Sequence, residues 1–534
     1  MSNNRIQDFL FVNKTASSQE LGRSAPRENA RILSYVQQAR RSTERARRGR
    51  QAWYPRIFLA HPPDQSVDDG ERGTGSRQRT IGAGEAEPRR QPRLPSQYPA
   101  HNTSDPFHST VAGSDAGNHV LLRCTFDAWS RWIFLAEGFA PPSLRSQNLV
   151  TRHDRIIEER QRRCIDDAVL MYATLGYGSS LVAWTTGMRD GGRPPEMFLQ
   201  KALQQLRLRL SDAAPVVDDW LLISIYSLAI AEMWNGSPSL WEKIPNLHAL
   251  AAATEHESLH ASRTHLGTLC RLVEEQGGWG RFDPYLLDCA LLADKYLSIS
   301  HGKRPVLLSS WTLPQAPDSI RGIDLESFKG TLSRLGRNLI GEALDEQLKG
   351  VLQSVVEHAR IAEMVWETRT VDNELQQWLF QRHQRLSLRL HQLSLDCSST
   401  RDQCICLAAL IVLLGSTSTW GPPLAAQIPG ARLQKLLAGS IPSQEDGLSG
   451  DLLLWILFSG AMSQVAFPKK HWFQDMIREL VIPLFMGARP SSTSEKGEIA
   501  QKDVFKETIE KTLELFLYFP ACQKEQLDAV FGQL

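Results

Sequence analysis

The sequence predicts an all-α protein, a large irregular helical array behind a basic N-terminal arm and a disordered linker. Three observations predict it. From about residue 106 onward, apolar residues recur at helical intervals. The strict period-two alternation of half-buried strands is missing from the sequence. Pro and Gly gather between the periodic segments, as at Gly187–Pro195, Gly421–Pro423 and Gly487–Ser492.

Taken in order, residues 1–50 open with a short apolar motif, Phe9-Leu10-Phe11-Val12. A basic helix follows Pro26, with Ile32, Tyr35 and Val36 on one face and Gly49 as its stop. Its arginines Arg40, Arg41, Arg45, Arg47, Arg48 and Arg50 form the candidate basic patch and nuclear-import signal. Residues 51–105 form the linker. Beyond residue 60 it is rich in Pro, Gly, Arg and Ser, with too little apolar surface to offset the entropy of ordering. Residues 106–534 form the helical body. Helical spacing marks Cys164–Trp184, Met197–Leu210, Trp220–Trp234, Thr264–Glu275 and Tyr285–Ile299. It continues through Ala343–Trp366, Leu375–Leu393, Gln403–Leu414, Leu452–Val465 and Val504–Tyr518. The run Gly176-Tyr177-Gly178-Ser179-Ser180 lacks the Lys of a phosphate loop and is expected to interrupt a helix.

The charge is almost balanced, a formal +1, so no whole-molecule field draws nucleic acid or a membrane. The balance is uneven along the chain. Residues 1–100 hold 18 Lys and Arg against 10 Asp and Glu, which leaves 42 against 49 in the rest. The eight cysteines are scattered without a framework spacing, as in a protein of a reducing compartment. The first residues lack a signal-peptide core. The longest apolar stretches, Cys404–Leu414 and Leu452–Phe458, fall short of the ~20 residues that span a bilayer. A soluble intracellular protein is expected, with no membrane partner.

Five segments, in order, carry a resemblance. They are FLFVNKTASSQ with ILSYVQQARR, then Asp105–Thr110 (DPFHST), Ser262–Phe282, Leu286–Leu307 with Asp294 and Arg304-Pro305, and Leu452–Ile477. Together they resemble the regulatory domain of fungal zinc-cluster transcription factors. Each motif alone is helix packing or turn chemistry: Gly277-Gly278 reads as a helix C-cap, and Trp455 and Phe458 as core. The order and spacing carry the likeness. It implies an all-helical, non-enzymatic regulator in the nucleus, without a cofactor, acting through protein partners such as a related transcription factor. The family reads DNA with six cysteines spaced C-x2-C-x6-C and repeated. The first cysteine here is Cys124, inside the helical body, so that reader is not among these residues. At most weak, non-specific contact of the basic arm with nucleic acid is expected.

One motif points elsewhere. His256-Glu257-Ser258-Leu259-His260 fits H-E-x-x-H, which on a helix would bind zinc and leave Glu257 as general base. Polar flanks argue against it, as do Arg263 and Leu266 where the extended motif wants glycine and a third histidine. A zinc hydrolase stays open as the alternative, as does a zinc-cluster factor whose reader lies upstream of Met1. Cys404 and Cys406, in an apolar helix, are expected to be structural thiols rather than ligands.

Overall fold

The computed structural model describes residues 118, 121–122, 125–126, 151–186, 194–212, 216–236, 257–321, 334–341, 344–368, 372–417, 422–439, 448–464, 471–481, 506–519, 523–524 and 527–528. The chain divides into two units, Met1–Gly82 and Ala83–Leu534, and every described residue belongs to the second. The arm, the linker and their boundaries therefore lie outside the described residues.

Among the described residues the fold is all-α, with no strand. The long helices are α1 (Asp154–Arg163), α2 (Ala168–Thr186), α3 (Pro195–Leu210), α4 (Asp219–Gly236), α5 (Glu257–Glu275) and α6 (Pro284–His301). After two short helices come α7 (Glu346–Thr368), α8 (Asn373–Asp396), α9 (Thr400–Thr417), α10 (Pro422–Gly439) and α11 (Gly450–Met462). Helix α4 packs on α2 and α5, and α2 on α3. Helix α8 packs on α7 and α9, while α9 also meets α10 and α11. Helix α6 touches α4 and α5 on one side and α8 on the other, so it joins the two halves. One hydrophobic cluster runs through both, from Ile156 to Leu527.

Local chemistry sets the helix ends. Asp167, Asp218, Asp372 and Ser449 accept the backbone N–H of Leu170, Leu221, Leu375 and Leu452, relieving the unpaired donors of a first turn. Asp283 caps α6, with Pro284 in the first helical position where its missing N–H costs nothing. The cap at Asp167 splits the expected Cys164–Trp184 segment, leaving Cys164 in a turn between α1 and α2. Helix α5 ends as expected. Gly277 and Gly278 take φ of 93° and 98°, and the Gly278 N–H reaches the Val273 carbonyl at 2.9 Å. Helices α4 and α9 are buried almost all round, as continuous apolar runs require.

One expectation fails. Gly176 and Gly178 do not interrupt a helix, because α2 runs through both. A Cβ at Gly176 would come within 2.7 Å of Leu199, so the glycine serves close approach of α2 and α3. Nearer the end of the chain, residues 515–519 close the core. Gly336 and Asn338 donate backbone N–H groups to the carbonyls of Phe516 (2.8 Å) and Leu515 (3.0 Å). The Trp455 indole N–H donates to the Leu517 carbonyl (3.3 Å) and its ring stacks on Phe516 at 5.7 Å.

Candidate functional site

The bridging helix α6 carries the densest buried chemistry among the described residues. Its apolar pattern places Asp288, Asp294 and Lys295 in the interior along with Cys289. Burying a carboxylate is costly unless donors surround it, and they do. Asp288 Oδ2 lies 3.0 Å from His153 Nε2 and accepts from Arg152 Nη2 at 3.3 Å, while Oδ1 accepts from Gln381 Nε2 at 2.8 Å. Arg152 also lies 5.5 Å over the Phe380 ring, and the His153 ring meets Tyr285 edge-on. The turn before α1 is thereby pinned to α6 and α8. Burial lowers the His153 pKa, and the bond to Asp288 only partly restores it, so the imidazole is neutral at pH 7.

Two turns further along α1, Arg160 is buried without a carboxylate partner among the described residues. Its Nη2 donates to Thr174 Oγ1 (2.9 Å) and Ser227 Oγ (2.8 Å), and its guanidinium lies 5.6 Å from the Phe126 ring. Beside it, burial raises the phenols of Tyr177, Tyr226 and Tyr285, and pushes the Cys289 thiol up to about 12. None of these groups is ionised at pH 7, so the cluster offers no activated nucleophile. Its work is positional: it ties α1, α2, α4 and α6 together.

The other end of α6 explains part of the family-like pattern. Asp294 accepts the N–H groups of Val306 and Leu307, at 2.9 Å and 2.8 Å on Oδ2, and the Ser298 hydroxyl at 3.0 Å. This clamp folds the Arg304-Pro305 turn back onto its own helix. Ser262 on α5 donates its hydroxyl to the Ala229 carbonyl of α4. Below the clamp, His358 (α7) and His383 (α8) face each other with ring centroids 5.7 Å apart, near the fully buried Lys295. His391 Nε2 lies 3.0 Å from the Lys303 carbonyl.

The residues singled out in the sequence are distributed differently. Arg40, Arg41, Arg45, Arg47, Arg48 and Arg50 lie outside the described residues, as does His256. Glu257 opens α5, and His260 sits exposed in its first turn, next to the buried Leu259. Among the described residues no group of three potential ligands is placed to hold a metal. Cys404 and Cys406 are fully buried in α9. No described helix is long and apolar enough to cross a membrane.

Among the described residues, a cleft of about 690 Å³ opens where the end of α1, the start of α2 and the end of α3 meet. Arg209 bridges its floor, pairing with both helix-capping acids, Asp167 (2.8 Å) and Asp218 (2.9 Å). Leu208 lines the cleft at 60% exposure, and Ile165 lies nearby in the chain at 43%. Sequence reading missed this site, because Leu208 and Arg209 sit in a regular helical pattern and only the packing of three helix ends exposes them. No family model, curated protein or solved structure matches the chain.

Proposed function

We propose that this chain is a non-enzymatic transcriptional regulatory protein of the kind its five ordered motifs resemble, the fungal zinc-cluster factors. It acts in the nucleus through protein partners, a related transcription factor among them, and uses no cofactor. The observation that carries the reading is the cleft around Leu208. It sets four carboxylates against three guanidiniums, so it has no positive field to hold phosphates. An exposed leucine among charges of both signs fits a protein partner, whose interface joins an apolar centre to a polar rim. The buried groups support the reading too, since Asp288, Arg160 and Cys289 are engaged in joining helices.

The test has two arms. Tethered to a heterologous DNA-binding domain, the protein changes reporter transcription, and Leu208→Glu reduces the effect at equal protein level. Replacing Arg40, Arg41, Arg45, Arg47, Arg48 and Arg50 by Ala depletes a tagged protein from the nucleus. A tethered wild-type protein with no effect on the reporter, or one confined to the cytosol, refutes the proposal.

A further inference from the structure

The joint between α8 and α9 brings two thiols together. Cys397 closes α8, its N–H bonded to the Leu393 carbonyl at 2.9 Å, and Thr400 opens α9 three residues later. Gln403 on α9 reaches back and donates its amide to the Cys397 carbonyl at 2.6 Å. Cys406 follows Gln403 by three residues, so helical geometry puts it on the same face, one turn further in. Cys397 and Cys406 are neighbours there across the joint, each perturbing the other's thiol. Cys397 is half-buried and reachable from solvent, whereas Cys406 is fully buried behind it.

We propose that Cys397 and Cys406 form a reversible, peroxide-responsive dithiol, with Cys397 the sulfur that is oxidised and Cys406 the one that closes the disulfide. Direction follows from exposure: peroxide reaches half-buried Cys397, whereas Cys406 is sealed in the core. The neighbouring Cys406 lowers the Cys397 thiol, against burial and the nearby Asp402, Asp345 and Asp396. Contact with Cys397, together with burial, raises the Cys406 thiol. The other thiols among the described residues compete poorly, since burial pushes Cys270, Cys289 and Cys404 up to about 12 and raises Cys164 as well.

The oxidant is hydrogen peroxide. Cys397 thiolate attacks one peroxide oxygen, the O–O bond breaks, and hydroxide leaves to become water, which makes a sulfenic acid. Cys406 sulfur then attacks that sulfur, forms the S–S bond and expels hydroxide, which takes up the Cys406 proton. Two thiols and one peroxide thus give one disulfide and two waters, and a cellular dithiol reverses the step. In a reducing compartment such a bond is transient, which suits a sensor. This chemistry is independent of what the chain regulates.

The full chain, reduced and then exposed to hydrogen peroxide, tests the idea by peptide mass spectrometry. Trypsin cuts after Arg401 and separates Cys397 from Cys404 and Cys406. The expected product is a linked peptide pair, lighter by two hydrogens and released by reductant. It persists in Cys404→Ser. Cys406→Ala loses it and instead leaves a Cys397 sulfenic acid that a cyclic 1,3-dione captures. Circular dichroism verifies that each variant keeps its helices. A wild-type protein that yields no linked pair, or a pair that survives in Cys406→Ala, overturns the proposal.

Discussion

Acid should unfold this protein earlier than carboxylates alone would. His358 and His383 are fully buried, and burial holds both well below the usual imidazole range. His383 and Arg382 reinforce the effect on His358, and Lys295 that on His383. Burial brings His391 down to about 4, although the Lys303 carbonyl pulls the other way. In the unfolded chain each of the three takes its proton near pH 6.5. Below that pH the unfolded state binds more protons than the native state, so stability falls as pH falls, and for His391 the loss ends only near its folded value. Each imidazole costs about 1.4 kcal/mol per pH unit below 6.5, so acidification from pH 7.5 to 5.5 removes about 4 kcal/mol through the three. Asp294, raised by burial, works in the opposite sense. That loss is a large part of the ~5–15 kcal/mol that holds a typical domain together. Urea unfolding followed by far-UV circular dichroism should show the midpoint falling steadily between pH 6.5 and 5.5 at constant slope. A midpoint unchanged over that interval would refute the assignment of three neutral, buried imidazoles.

Asp288→Ala removes the acceptor that Arg152, His153 and Gln381 share inside the core, and breaking that buried pair should destabilise by about 3–5 kcal/mol in the same urea assay. A loss below ~1 kcal/mol would mean that the cluster is not joining α1 to α6 and α8. His260→Ala, exposed in the first turn of α5, should stay within roughly ±0.5 kcal/mol of wild type. The purified protein should hold well under one equivalent of zinc. Stoichiometric zinc lost in that variant would revive the hydrolase alternative.

Much of the fold was legible because helices announce themselves locally. Leu375–Leu393 and Gln403–Leu414 show their period in sequence, and Gly277-Gly278 shows its stop. The misreading of Gly176 and Gly178 has a physical cause. A helical glycine can mark a break or a close approach, and only the position of Leu199 on α3 decides between them. The polar interior was invisible for the same reason. Nothing near Asp288 in sequence says that His153 and Gln381 will find it, because those partners arrive from a turn and a helix more than ninety residues away. Cys404 and Cys406 were correctly placed in a core helix. The neighbour of Cys406, though, sits across a helix joint, where periodicity carries no information.

The seam at residues 515–519 sets an order on how this protein can be made. Trp455 and the turn at Gly336 both wait for backbone partners on that segment, about 60 and 180 positions further along the chain. A ribosome adding ~5–20 residues per second leaves the Gly336 turn without its partner for roughly 10 s or longer. For the last ~3–12 s of that interval, once Trp455 has been added, the aromatic face of α11 lacks its cover. The nascent chain therefore passes through a stage in which a nearly complete body displays an apolar stripe, the period when chaperones would be expected to engage it.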